Sequence, residues 1–386
     1  MSVALFWGAL VAIVYAYIAF PLLVLLRGRL CRRPFTLGAI TPRVSIIVAA
    51  HNEESSIGTK VQNMLSVDYP ADRLEVLIAS DGSDDDTENI VRSFGAKGVR
   101  LLSLPRRGKA YALNAAVAAS SGEILVFSDA NSMFAPGAVR ALVQPFADSS
   151  VGGVAGDQRY LKGASQAITA DGERCYWDFD RKLKEAQSQA GSVTSATGAI
   201  YAIRRSLFSQ VPEGVTDDFV TSTKVIAGGH RLVFAPAAVA FEPVARSGGV
   251  EFGRKVRVMT RGFQSVLEMR GLLNPFRYGF YAIQLFSHKV VRRLVALPLL
   301  VLFFSSLVLW NDGPVYRMVA MGQVLLYGCA ALGIALSRTR FGRTKVLTLP
   351  LFFVAVNVAA LLAAFKLLAG RRVVMWDPQR PQSRAS

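Results

Sequence analysis

The chain of 386 residues carries 44 Lys and Arg against 27 Asp and Glu, a formal charge of +17, yet 52% of it is hydrophobic and its mean hydropathy is +0.34. That apolarity excludes a disordered chain, and three scattered cysteines, Cys31, Cys175 and Cys329, exclude a disulfide scaffold and match no zinc spacing. The charge is uneven: residues 43–247 hold 21 basic and 23 acidic residues, and residues 248–386 hold 19 and 4. A nucleic-acid binder concentrates basic residues on its folded domain, so a slightly acidic middle segment argues against one.

Residues 1–26 contain no charge. A bilayer-spanning helix takes ~20 apolar residues, so this run suffices. It has no basic leader and no small-residue cleavage pattern, which speaks against a removable signal peptide. Arg27, Arg29, Arg32 and Arg33 follow at once. Positive charge stays on the cytoplasmic side, so the N-terminus is expected outside and the middle domain inside.

From residue 43 the pattern changes to strand and helix in alternation. Continuous β-branched runs at 44–49, 74–79, 99–104 and 123–127 read as buried strands, and 51–65, 84–94 and 108–119 read as helices. Such alternation predicts an α/β domain with a mostly parallel sheet and helices on both faces. Ligands then bind beyond the C-terminal ends of the strands. Three polar clusters stand there: His51-Asn52-Glu53, Asp81-Gly82-Ser83 and Asp129-Ala130-Asn131. Each alone has a bland explanation. Ser83 to Asp86 suit a helix cap, Asp129 suits a solvated loop, His51 a structural histidine and Lys109 a helix-end cation. Their shared placement is the signal. No GxxxxGK[ST] or GxGxxG run is present, so a nucleotide diphosphate here would be neutralised by a carboxylate-held divalent cation with Lys or Arg.

After the middle domain, Phe252, Val256, Met259, Phe263, Val266 and Leu267 recur at helical spacing, with Arg254, Lys255, Arg257, Arg261 and Arg270 mostly on other faces. A basic amphipathic helix of this kind lies in the headgroup interface, or else packs as an ordinary surface helix on the domain. Apolar runs follow at 294–310, 318–337 and 346–365. The expected organisation is a first span at 1–26, a cytoplasmic catalytic domain at 43–247, an amphipathic segment at 248–286, three spans within 287–370 and a basic tail at 371–386. One conflict stands. Four full spans put the tail outside, against Arg371, Arg372, Arg380 and Arg384. Either the charge rule fails there, or one run is re-entrant or interfacial.

Six motifs occur in a fixed order: residues 44–54 (VSIIVAAHNEE), Ser80-Asp81-Gly82-Ser83, residues 108–114 (GKAYALN), residues 128–132 (SDANS), residues 197–205 (TGAIYAIRR) and Thr216-Asp217-Asp218. Together they make the segment from Arg43 to about Gly271 resemble the family 2 glycosyltransferases of GT-A fold. The membrane-bound branch with cellulose, chitin and hyaluronan synthases is the most similar.

The resemblance implies an inverting sugar transfer from a nucleotide-sugar, usually a UDP-sugar, to a saccharide or lipid-linked acceptor. It implies Mg²⁺ or Mn²⁺ as cofactor and a bacterial plasma membrane as the setting, in cell-surface glycan synthesis. Asp81 matches the nucleotide-binding carboxylate, and Ala50, His51 and Glu53 match the loop along base and ribose. Lys109 matches the basic position after the third strand. Asp129 is the first carboxylate of the DxD motif, which holds the metal, and Asn131 stands where the second is expected. Thr216-Asp217-Asp218 resembles the TED motif, making Asp218 the base and Asp217 its neighbour. Gly198 and Ala199 match the loop that approaches the acceptor. Processive members carry Q(Q/R)xRW near the amphipathic helix; here residues 254–258 (RKVRV) keep only Arg257. The polymer-stacking Trp is missing, so transfer of one or a few sugars becomes as good an expectation as polymerisation. The rival expectation is a membrane scaffold or transporter with a decayed transferase domain. Its spans should carry charges along a path, and the central runs carry none.

Overall fold

The structure is a computed structural model that describes residues 1–160, 170–242, 248–337 and 339–370. The basic tail, and with it the topology conflict, lies outside the described residues.

One sheet organises the catalytic part. Its strands are β1 (Val44–Ala50), β2 (Leu74–Asp81), β3 (Val99–Leu104), β4 (Ile124–Phe127), β5 (Met133–Phe134), β6 (Val151–Tyr160), β7 (Tyr201–Arg204) and β8 (Arg231–Glu242), in the spatial order β3-β2-β1-β4-β7-β6-β8-β5. All seven residues of β1 are buried, as a continuous apolar run dictates for a strand covered on both faces. Strands β1 to β4 pair in parallel. The other half departs from the parallel expectation: β7 runs antiparallel to both β4 and β6, and β5 antiparallel to β8. The sheet is therefore mixed.

This departure positions the site. Phe127, the last residue of β4, pairs with Tyr201, the first of β7. The loop entering β7 thus stands beside the loop leaving β4, at the ligand-binding edge. Strand order also reverses between β1 and β4, which opens a crevice there.

Each sheet face carries its own core. Ile46, Val48, Ile78 and Val126 pack with the helices Glu54–Leu65 and Ala138–Val143. Ile47, Ala49, Leu125 and Phe127 pack with Lys109–Ala119 and Asp217–Ala227. The second core continues through Val266, Met269 and Leu272 to Leu285, so membrane-proximal segments share the interior of the catalytic domain.

Among the described residues, three helices are long and apolar enough to cross a membrane: Ser2–Leu30, Pro314–Ala335 and Lys345–Leu368. The short run at 294–310 forms the second half of a pair, Phe280–Leu294 and Ala296–Val308, bent by 50°. Counting that pair as one span gives four candidates. The first helix is continuous through a π-turn at Tyr15–Ala19 and reaches past its apolar part. Phe6 and Ala9 pack on Leu302 and Leu309, whereas Phe20 and Val24 pack on Leu183 and Ala186 of the helix Ala170–Ala190. Arg27 then donates to the Ala190 carbonyl at 3.2 Å, and the Arg33 N–H to the Gln189 carbonyl at 2.7 Å.

The amphipathic helix is Gly248–Glu268. It is wedged between Lys345–Leu368 and the helix Asp217–Ala227. Val256, Thr260, Phe263 and Val266 are buried, and Leu267 is exposed. The second of the two expectations for this helix, packing against the domain, describes its inner face.

Candidate active site

The site is built from four chain segments at the C-terminal edge of the sheet. From β4 come Asp129 and Asn131. From the helix Lys109–Ala119 comes its first residue, Lys109. The helix Asp217–Ala227 contributes Asp217 and Asp218 in its first turn, where the helix dipole favours negative charge. The loop before β7 contributes Gly198 and Ala199.

Lys109 joins these segments. Its Nζ lies 2.7 Å from Asp129 Oδ1 and 3.1 Å from Asp217 Oδ2. Burial works against the ammonium, but Asp129 and Asp217 outweigh it and hold Lys109 far above the usual lysine range. Asp218 has no such direct cation. Burial and the neighbouring Asp217 push its carboxyl up to about 7, against the pull of Lys109. One oxygen accepts the Phe219 N–H at 2.7 Å.

Gly198 is required by this packing. A Cβ on it would sit 2.6 Å from Asp129 Oδ2. Its carbonyl accepts the Asp129 N–H at 3.0 Å, so the two loops are bonded backbone to backbone.

Asp81 has a different surrounding. It is fully buried at the end of β2 and accepts from Arg106 Nη1 at 2.7 Å and from the N–H groups of Arg107 and Gly108 at 2.8 Å. Gly82 permits the approach: it has φ +61°, and a Cβ there would meet the Arg106 nitrogen at 2.7 Å. In this state Asp81 fastens the loop that delivers Lys109. Ala50, His51 and Glu53 are buried beside it at the end of β1. Asn52 adopts a left-handed φ of 52°, receives nothing from a regular ladder, and instead accepts the Asp84 N–H at 3.0 Å.

Three contributors escape a motif-based reading. Lys60 is completely buried on the helix Glu54–Leu65. It donates to Ser128 Oγ at 2.7 Å and to the Ser132 carbonyl, bracketing Asp129 to Asn131 from beneath. Ser128 Oγ in turn donates to the Ala199 carbonyl at 2.8 Å. Burial lowers Lys60 to about 7, against the charges of Asp129 and Glu242. Glu242 ends β8 and accepts from Ser132 Oγ and Gln158 Nε2, both at 2.6 Å. Burial and the Asp129 charge push it up to about 6. Arg261 lies one helical turn beyond Arg257 and lines a cleft of about 330 Å³ with Arg107, Gly108, Lys109, Glu213 and Asp217. The Lys60 signal was present in the sequence. It falls on the stripe of Ile57, Val61 and Met64, where a lysine has no business unless it is hydrogen-bonded.

The family model described as "Glycosyl transferase family 2" matches residues 45–211, the stretch that builds the sheet edge and both loops. Residues 45–211 are thus a glycosyltransferase family 2 domain. This glycosyltransferase is 27% identical over 276 residues to a Bacillus subtilis protein named probable glycosyltransferase YdaM, covering 65% of this chain and 64% of that one. It is 25% identical over 243 residues to the poly-beta-1,6-N-acetyl-D-glucosamine synthase of Staphylococcus epidermidis, covering 59% and 58%. The match thus spans less than two thirds of each curated relative. Among solved structures, the mannosyltransferase PcManGT of Pyrobaculum calidifontis, in complex with GDP-Man and Mn²⁺, superposes with a TM-score of 0.71 at 25% identity. That alignment covers 95% of this chain and 100% of the other. The chain thus has a GT-A fold with attached candidate membrane helices.

Removing the lysine leaves Asp129, Asp217 and Asp218 facing one another. Lys109→Met is expected to destabilise the folded enzyme by about 3–5 kcal/mol, the usual cost of orphaning buried charge. Adding Asp217→Asn is expected to recover part of the loss. Thermal unfolding in detergent checks both; an unchanged transition for Lys109→Met contradicts the assignment.

Proposed function

We propose that this enzyme transfers a sugar from a nucleotide-sugar to a saccharide or lipid-linked acceptor, with inversion, and that Asp218 is the base. The observation that carries this is the Asp218 carboxyl, buried against Asp217 and pushed up to about 7 beside the Lys109 ammonium. An acceptor hydroxyl is a poor nucleophile, and a general base works best when its pKa lies near the operating pH. A single displacement needs one base. Glycosidases need two carboxylates spaced for acid and base roles.

The donor set suits a divalent metal that arrives with its substrate. Among the described residues no three His, Cys, Asp or Glu side chains form a cage. Asp129 offers one carboxylate, and Asn131 one amide carbonyl. Mg²⁺ is commonly held by one or two carboxylates with substrate phosphates completing the shell. Asp129, with Asn131, would hold it. Bound there, the metal would supply Lewis-acid stabilisation of the diphosphate charge.

The protein side of the reaction follows. Lys109 already bears on Asp129 and Asp217, and Arg261 lines the same cleft; both supply fixed positive charge where the leaving diphosphate gains negative charge. Arg257, one turn away, is assigned to the same field. Gly198 and Ala199 orient the acceptor, and Asp218 takes its proton as the new bond forms. His51, Glu53 and Asp81 are assigned to the nucleoside. Asp81 would exchange one of its present partners for the base. UDP-sugars are the first donors to test. GDP-mannose belongs beside them, because the archaeal mannosyltransferase is described with it. The absence of the Q(Q/R)xRW tryptophan favours addition of one or a few sugars.

The four arginines at the inner end of the first helix favour a cytoplasmic catalytic domain, in a bacterial plasma membrane. A scaffold with a decayed transferase domain is disfavoured, because each catalytic carboxylate is present and buried charge has been kept around it.

Asp218→Asn is expected to lower transfer about 100-fold or more, while thermal stability stays level or rises, since one of three crowded carboxylates is neutralised. Transfer retained at wild-type rate with an intact fold rejects Asp218 as base. For the pH profile the sign is fixed by the direction of the shift. A carboxyl raised to about 7 is protonated and inactive below that pH, so transfer should rise as pH climbs through about 7. A flat profile between pH 5.5 and 8.5 contradicts this. Lys60→Met is expected to raise the Mn²⁺ concentration needed for half-maximal transfer by about 10- to 100-fold, as loss of ligand-supporting bonds commonly does. An unchanged metal requirement would remove Lys60 from the metal loop.

A further inference from the structure

A second, small hollow is lined by residues other than those of the Lys109 cleft. Its walls come from three elements: the helix Ala170–Ala190, the loop that carries Gly198, and the π-turn Ser287–Val291 at the start of the bent helical pair. The loop is clamped on that pair. Tyr281 Oη donates to the Thr194 carbonyl at 2.8 Å, and Gln284 Nε2 to the Ser192 carbonyl at 3.0 Å.

The charge in this hollow is unbalanced. Lys184 and Lys289 line it against one carboxylate, Asp180, with the His288 imidazole beside them. That carboxylate is already engaged: Lys184 Nζ is 3.1 Å from one oxygen and His288 Nε2 is 3.6 Å from the other. Among the described residues no carboxylate lies within 4 Å of Lys289 Nζ, whose nearest described partner is the Phe219 ring, 5.8 Å away at its centre. Two further buried polar atoms in the wall, Thr197 Oγ1 and His288 Nδ1, have no hydrogen-bond partner among the described residues. A buried ammonium with no carboxylate in direct contact is costly, and so is each orphaned polar atom. The three groups converge on one space, and an oxyanion would satisfy all of them.

The place of this hollow indicates whose oxyanion it is. Thr197 precedes Gly198 of the acceptor-side loop, and Phe219 follows Asp218. The donor side is the Arg107, Lys109 and Arg261 cleft. Lys289 lies in the π-turn that precedes the apolar helix Ala296–Val308.

We propose that this hollow is a phosphate-binding subsite for the acceptor, in which Lys289, Thr197 and His288 hold a phosphate monoester group. The assignment rests on the transferase function proposed above and names the chemical class of its second substrate. The phosphate can come from a membrane lipid or from a water-soluble ester, and the test separates these. Lysine is a regular phosphate ligand, and charge-assisted bonds to a dianion are the stronger kind.

The full chain is reconstituted in phosphatidylcholine vesicles, and binding is followed by ³¹P line broadening for farnesyl phosphate in the bilayer and for glycerol 3-phosphate in solution. Farnesol and a neutral disaccharide are tested as competitors. At least one phosphate ester is expected to bind, and Lys289→Met is expected to weaken it about tenfold or more, with Lys289→Arg retaining most of the affinity. Tighter binding of the farnesyl ester assigns the source to the membrane, and tighter binding of glycerol 3-phosphate assigns it to the soluble pool. Nucleoside diphosphate affinity is measured on the same variants and is expected to be unchanged. Loss of nucleotide binding in the wild-type enzyme would count against the transferase assignment instead. The subsite is overturned if neither ester binds, if Lys289→Met binds as well as the wild type, or if farnesol or the disaccharide competes as strongly as the esters.

Discussion

Three carboxylates share one lysine, and much of the C-terminal end of the sheet is arranged around that imbalance. Asp129 and Asp217 each touch Lys109, and Asp218 is left with the residual charge. An ion pair buried in protein does little for stability by itself, because desolvation offsets its attraction. Its value lies in what it poises. Asp218 is held near neutrality in its titration by neighbours that come from other segments of the chain. The same lysine holds Asp129 in place in this state. The site is thus a balanced set of charges that expects a substrate, and two surrounding basic groups, Lys60 beneath and Arg261 beside, hold it from drifting.

The apolar helices bear on this balance through specific bonds. The Thr216 N–H, at the cap of the helix Asp217–Ala227, donates to Ser265 Oγ at 2.8 Å. Ser265 belongs to the amphipathic helix, which packs along Lys345–Leu368. On the opposite flank, Arg231 Nη2 donates to the Arg33 carbonyl at 2.8 Å and to the Ser188 carbonyl at 3.0 Å, tying the end of the first helix to β8 and the helix Ala170–Ala190. The cap of the helix that carries Asp218 and the start of β8 are therefore each tied to a different segment outside the sheet.

Much of this was legible in the chain. The strands at 44, 74, 99 and 124 announce themselves because buried parallel strands need unbroken apolar runs, and strand β3 runs over the expected residues 99–104. The polar clusters at their C-terminal ends follow from the same topology. The antiparallel half was not legible. Strand β7 is short, and its direction is dictated by where its loop must return, which only the assembled sheet reveals. Lys60 was visible as a cation on an apolar stripe, but its partners lie 68 and 72 residues away. Glu242 gave no local sign, since its environment comes from Ser132 and Gln158. The run at 294–310 is short because its preceding half, Phe280–Leu294, contains His288, Lys289, Arg292 and Arg293. Those charges suit a bend near the polar boundary better than a straight apolar rod.

The central claim is that the protein offers the metal only part of a site and the donor diphosphate completes it. Mn²⁺ binding to the full-length enzyme, measured by the paramagnetic effect on water protons with and without a nucleoside diphosphate, tests this most directly. Weak binding alone, tightened about tenfold or more by UDP or GDP with an equal reciprocal effect on the nucleotide, is the predicted result. Tight Mn²⁺ binding without nucleotide, or nucleotide binding indifferent to Mn²⁺, would contradict it.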